Sequence, residues 1–188
     1  MGMFALINEM RIRQGAPYWV PHLHLGEYLA REEYLRLIES ANLEIKIVCG
    51  HCEPSFYNSP DFISSIDGLI DHWQGNASIA FNKKATDKNE AEDIFKKENK
   101  KLFEYFSSLS PDLKERLKLI WLRKRFEQHY LIIDRKCMIF ESKHKEGEPR
   151  EIYCVLENKK EAEKFLVFYN QLIKAKGEYL FVNSGNKQ

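Results

Sequence analysis

The apolar positions of this chain change period along its length, and each change marks an element. Leu43-Glu44-Ile45-Lys46-Ile47-Val48 alternates down to Cys49-Gly50, which is the two-residue period of a strand. Ala77–Phe81, Leu117–Leu122 and Glu151–Leu156 are short runs of the same kind, and Tyr18-Trp19-Val20 is another, set off by Gln14-Gly15-Ala16-Pro17. His129–Asp134 and Cys137–Glu141 are separated only by Arg135-Lys136, a pattern that predicts a hairpin with a tight turn. Tyr179–Val182 is a final candidate strand.

Helical spacing fills the intervals. Glu27–Ala41 carries Ala30, Tyr34, Leu37, Ile38 and Ala41 on one face. Ser59-Pro60-Asp61 is a helix start: a capping hydroxyl, a proline whose missing N–H costs nothing there, and an acid at the positive end of the dipole. Phe62, Ile63, Ile66, Leu69, Ile70 and Trp73 follow on one face. Asn89–Leu109 predicts the longest helix, closed by Ser110-Pro111. Lys159–Lys174 predicts a last one, with Ala162, Phe165, Leu166, Tyr169, Leu172 and Ile173 on its apolar face and Gly177 as its C-cap.

Strands alternating with helices, with a late hairpin, predict an α/β fold: a single domain with a mixed β-sheet flanked by helices on both faces. Residues 1–42 are expected to form a strand/helix extension packed on a core of residues 43–188. No repeat, low-complexity segment or linker interrupts the chain.

Composition narrows the function. Of 188 residues, 29 are basic and 28 acidic, a net charge of +1, so binding to nucleic acid would have to come from a local patch rather than from overall attraction. No signal-peptide pattern precedes the first strand, and no apolar run approaches the roughly 20 residues that span a bilayer. A cytoplasmic protein with reduced thiols, no membrane partner and no cofactor is the expectation.

Five sets of residues could carry chemistry. Cys49-Gly50-His51-Cys52 has dithiol spacing, but Glu53-Pro54 follows it at once and the next clear helix start is Ser59-Pro60. It therefore reads as two ordinary cysteines at a strand end rather than a redox pair, and it lacks the second ligand pair of a structural zinc. His22 and His24 share a face if extended, without a third ligand; no metal site is expected. Arg123-Lys124-Arg125, with Lys114, Arg116 and Lys118 upstream and Trp121, Phe126 and Tyr130 interleaved, has the makings of an anion-binding surface with stacking rings. Its alternative is an exposed strand edge protected by charge. His129 and Glu141 should approach across the hairpin as an imidazole–carboxylate pair, with Asp134 at the turn end a further carboxylate. His144 and Arg150, in the polar loop Lys143–Pro149 and just after it, could add a proton donor and an anion clamp.

From Leu43 to Ile173 the order of elements resembles the phospholipase D-like fold, and His129–Glu141 resembles the strand that carries its motif, His-x-Lys-(apolar)4-Asp. Aligned on Leu131-Ile132-Ile133, Asp134 matches the motif aspartate. Glu127 stands at the nucleophilic histidine, His129 at the lysine, Phe140-Glu141 at the Gly-Ser that follows, and Lys143 at the later asparagine. The resemblance implies phosphodiesterase chemistry through a phospho-histidine, built from two motifs and hence from a homodimer of so short a chain. Without the nucleophile that covalent step does not carry over. The chain is therefore expected to be a non-catalytic binding or assembly module with a degenerate phospholipase D-like fold, meeting nucleic acid or a protein partner through Arg123, Lys124, Arg125 and Arg150. The alternative is a phosphodiesterase or nuclease using His129 with Glu127 or Glu141, and a third is a thiol protein working through Cys49 and Cys52.

Overall fold

The computed structural model describes residues 34–50, 52–124, 126, 128–140 and 158–181 in full, and the backbone of 18–21, 141 and 151–155. In chain order these form β1 (Tyr18–Pro21), α1 (residues 34–39), β2 (Glu44–Cys49), α2 (Pro54–Tyr57) and α3 (Pro60–Asp67, running on as a π-turn through His72). Then come β3 (Asn76–Phe81), α4 (Lys88–Glu98), α5 (Lys100–Ser108), α6 (Pro111–Arg116) and β4 (Leu117–Leu122). The chain closes with β5 (His129–Ile133), β6 (Cys137–Glu141), β7 (Glu151–Val155), α7 (Lys159–Lys176) and β8 (Gly177–Tyr179).

The strands make one eight-stranded mixed sheet in the order β1-β7-β6-β5-β2-β3-β4-β8. β2, β3 and β4 are parallel, β5, β6, β7 and β1 continue antiparallel from β2, and β8 pairs antiparallel with β4. The predicted α/β class and mixed sheet are thus present. β4 is not an edge, because β8 covers its outer side, so charge protection of a bare edge does not explain its basic neighbours.

Alternation sorts the sheet's side chains into two cores. Ile45, Ile47, Ile79, Phe81, Leu119, Leu131 and Ile133 face a layer made by the first five helices. Val48, Ala80, Ile120, Leu122, Tyr130, Ile132 and Met138 face Tyr169, Leu172 and Ile173 of α7. Toward their carboxyl ends the central strands are apolar on both sides, as parallel strands covered by helices are. Phe165 and Leu166, assigned to the buried face of α7, are only partly buried.

The predicted helix Asn89–Leu109 is two helices. Asn99, at φ −108° and ψ 47°, breaks the ladder. The Asn58 side chain enters the gap, donating to the Glu98 carbonyl (3.0 Å) and accepting from the Leu102 N–H (3.2 Å). An inserted side chain is a recognised cause of a kink, and it could not be read from periodicity because Asn58 lies 40 residues from Glu98. Gly177 is the C-cap of α7, as expected, with its N–H donating to the Ile173 carbonyl. It is extended (φ −82°), not left-handed, and a Cβ there would come within 2.8 Å of the Ile173 carbonyl. Close approach, not a turn, selects glycine there.

Candidate functional site

The hairpin register pairs His129 with Glu141. Directly opposed residues of an antiparallel pair hold their Cβ atoms about 4.5–5.5 Å apart on one face, so the expected approach of the two is built into the backbone. On the other side of β5 the last pair with β2 is Tyr130 with Val48, and one step further Cys49 stands opposite His129. A row of thiol, imidazole and carboxylate positions therefore crosses three adjacent strands at one end of the sheet. The imidazole lies on the Gly50 backbone, where a Cβ would come 2.9 Å from its Nε2.

Asp134 is at the opposite end of β5. Five residues of strand at about 3.3 Å each separate it from His129, roughly 16 Å. Its carboxylate accepts from the backbone N–H groups of Asn42 (3.0 Å), Leu43 (2.8 Å) and Glu44 (2.9 Å). It anchors the start of β2 and does not join His129. The turn it opens has left-handed backbone at Asp134 (φ 50°) and Arg135 (φ 56°), and Arg135 pairs with Glu44 at 2.6 Å.

Of the basic set, Arg123 pairs with Glu178 at 3.1 Å and the Lys124 carbonyl accepts from Asn82; both side chains are exposed at the carboxyl end of β4. The interleaved rings are not free to stack on bases. Trp121 and Tyr130 are core residues, and Phe126 is half-buried, with its ring centroid 6.0 Å from that of Phe168. Arg125, Glu127, His144 and Arg150 lie outside the described residues, as do His22, His24 and His51.

Sequence reasoning missed a groove of about 640 Å³ over the amino-terminal halves of β2, β3 and β4, beside α7. Lys46, Arg116, Lys118 and Lys174 line it with Tyr169, Tyr179 and Asn170. Glu44 and Glu115 also face it, but Glu44 is already engaged by Arg135 and by Lys46 (3.1 Å). The Lys46 ammonium sits 5.3 Å from the Tyr169 ring centroid. Arg116 and Lys118 belonged to the basic concentration seen in the sequence; Lys46, Lys174 and Tyr179 arrive from other elements. No group of three potential metal ligands occurs among the described residues, and none of their helices is long and apolar enough to cross a membrane.

Neither a known sequence family nor a curated protein sequence matches the chain. Solved structures do. Nuc from Salmonella typhimurium, a phospholipase D family member, aligns with a TM-score of 0.52 at 11% identity over 87% of this chain and 97% of its own. The fold is phospholipase D-like. TrmBL2, an archaeal chromatin protein described for its mode of DNA binding, aligns at 0.57 and 13% identity over 92% of this chain and 60% of its own. Phosphatidylserine synthase of Haemophilus influenzae aligns at 0.57 and 9% identity, over 88% and 39%. Identities this low speak for the phospholipase D-like architecture alone.

Proposed function

We propose that the chain is a non-catalytic binding module on a phospholipase D-like fold, and that its partner is nucleic acid held in the groove beside α7. The observation that carries this reading is the groove's lining: Arg116, Lys118 and Lys174 against Glu115, with Lys46 and Arg135 both on Glu44 and the half-exposed Tyr179 at the rim. Phosphates meet the cations and a base can stack on the tyrosine, which together suit a single strand. A DNA-binding structural neighbour supports it. Arg123 and Lys124, with Arg125, extend the basic surface toward the carboxyl end of β4. The engagement of Asp134 with backbone supports the non-catalytic half of the reading, because the one motif residue this chain retains serves the fold.

The test is fluorescence anisotropy with a labelled single strand across a salt series. The doubly substituted Lys118→Ala, Lys174→Ala protein should bind more weakly, with a log–log salt slope shallower by about 1.5, since each lost phosphate contact removes about 0.7–0.9 of slope. Tyr179→Ala should cost about 1–3 kcal/mol of affinity at unchanged slope. Failure of the native protein to bind at about 50 mM salt, where phosphate contacts are strongest, overturns the reading. An unchanged slope in the double variant, lost instead on replacing Arg123, Lys124 and Arg125, would move the interface to the carboxyl end.

A second reading rests on the His129–Glu141 register, which supports a phosphodiesterase with His129 as general base. Under it, His129→Gln lowers hydrolysis of a chromogenic phosphodiester by about 10² or more while Tm holds.

A further inference from the structure

Among the described residues outside α7, the most exposed large apolar side chains are Leu43 (67%), Trp73 (54%) and Tyr179 (46%). Tyr179 is already at the rim of the groove. Trp73 reaches the surface on an irregular piece of backbone. The π-turn Gly68–His72 ends α3, and the Trp73 N–H closes it on the Gly68 carbonyl at 3.1 Å. Gln74 follows in the left-handed region at φ 55°, a costly conformation for a residue with a Cβ. π-Turns and strained backbone both collect at functional positions. The His72 ring packs against the indole with centroids 4.9 Å apart. This turn also adjoins the groove. Arg116, which lines the groove, donates from its guanidinium to the Gln74 carbonyl, and Asn76, three residues after Trp73, is a lining residue too.

The sheet register orders these groups. Tyr179 pairs with Ile120 on β4, Lys118 lies two residues back on the same face, and Arg116 stands two further back, just before the strand. Same-face positions of a strand are about 6.6 Å apart, so ring, cation, cation and ring follow one another from Tyr179 to Trp73, with roughly 13 Å between the level of Ile120 and Arg116. We propose that Trp73 is a second stacking platform, and that a single strand of nucleic acid lies along the β4 side of the groove with one base on Tyr179 and another on Trp73. The proposal rests on the reading of the groove as a nucleic-acid site and adds to it a path and a length. Charge selects this occupant. A purely apolar partner would cover Leu43 and Trp73 and leave Arg116 and Lys118 unused. A strand uses rings and cations together, and any base can stack, because every base has a π-face. At about 3.4 Å per nucleotide of a stacked strand, roughly 13 Å is four steps, so about five nucleotides reach from one ring to the other.

The test measures binding of oligothymidylates from about two to about ten nucleotides long to the whole chain, at about 50 mM salt, by competition with a labelled strand. Native affinity should climb steeply with length up to about five nucleotides and only slowly beyond. Trp73→Ala should weaken the longest strand by about 5- to 150-fold, the worth of one stacked base, and a three-nucleotide strand by no more than about twofold. Its salt slope should stay that of the native protein, because no phosphate contact is lost. Tryptophan emission of the native protein should be quenched on saturation. Trp73→Phe, which keeps an aromatic face, should retain most of the affinity and lose most of that quenching. A Trp73→Ala protein that binds the longest strand as the native protein does, or loses affinity equally at both lengths, overturns the proposal and leaves the groove reading standing. No binding by the native protein at any length overturns both.

Discussion

At one end of β5, His129 stands half-buried between Cys49 on one neighbouring strand and the Glu141 position on the other. At the other end, Asp134 has both carboxylate oxygens occupied by backbone N–H groups of the segment entering β2. Both residues sit at strand ends next to loops, the usual address for chemistry. They differ in what surrounds them. Around His129 stand the Gly50 backbone and the strand positions of Cys49 and Glu141; around Asp134 stand main-chain donors that need an acceptor if β2 is to begin there. An acid at the end of an apolar strand can thus be a structural cap with no part in a site.

Replacing Asp134 is the sharpest way to break that comparison. Asp134→Ala leaves three N–H groups without their charged acceptor and should cost about 3 kcal/mol in urea unfolding, since bonds to a charged group contribute roughly 1.5–3 kcal/mol each and these are partly solvated. A loss below about 0.5 kcal/mol would return Asp134 to the list of functional candidates. Asn58→Ala removes both bonds that bridge the α4–α5 break and should cost about 1–3 kcal/mol. Phe165→Ala, on the α7 face but only partly buried, should cost less than the roughly 3–5 kcal/mol of a fully buried ring. The same substitution at Phe95, which is completely buried, should reach that range. His129→Gln should do least to stability, within about 1 kcal/mol; a larger loss in urea unfolding would make His129 a second structural residue.

Much of this fold was legible because it follows from local rules. Leu117–Leu122 appears as a strand with the bounds its apolar run predicts, and Ser59 caps its helix by accepting from the Phe62 N–H at 3.3 Å. The hairpin register that opposes His129 and Glu141 follows from two apolar runs and a short turn. What was not legible depends on residues far apart in the chain. Trp121 and Tyr130 looked like stacking platforms, but each fills a core, which no local pattern reveals. The proline after Cys52 and Glu53 read as a break, whereas it opens the helical turn Pro54–Tyr57.

The sequence by itself determined the alternation of strands and helices, the α/β class and the two-sided burial of the central strands, because hydrophobic period, caps and turn residues act over a few residues. Only the tertiary structure decided which polar groups meet. The parallel order of β2, β3 and β4 gathers Lys46, Lys118 and Lys174 into one groove, and the antiparallel return of β5 brings His129 to Cys49 from 80 residues away along the chain. Such pairings depend on strand order and register, which are set by burying both faces of the whole sheet at once.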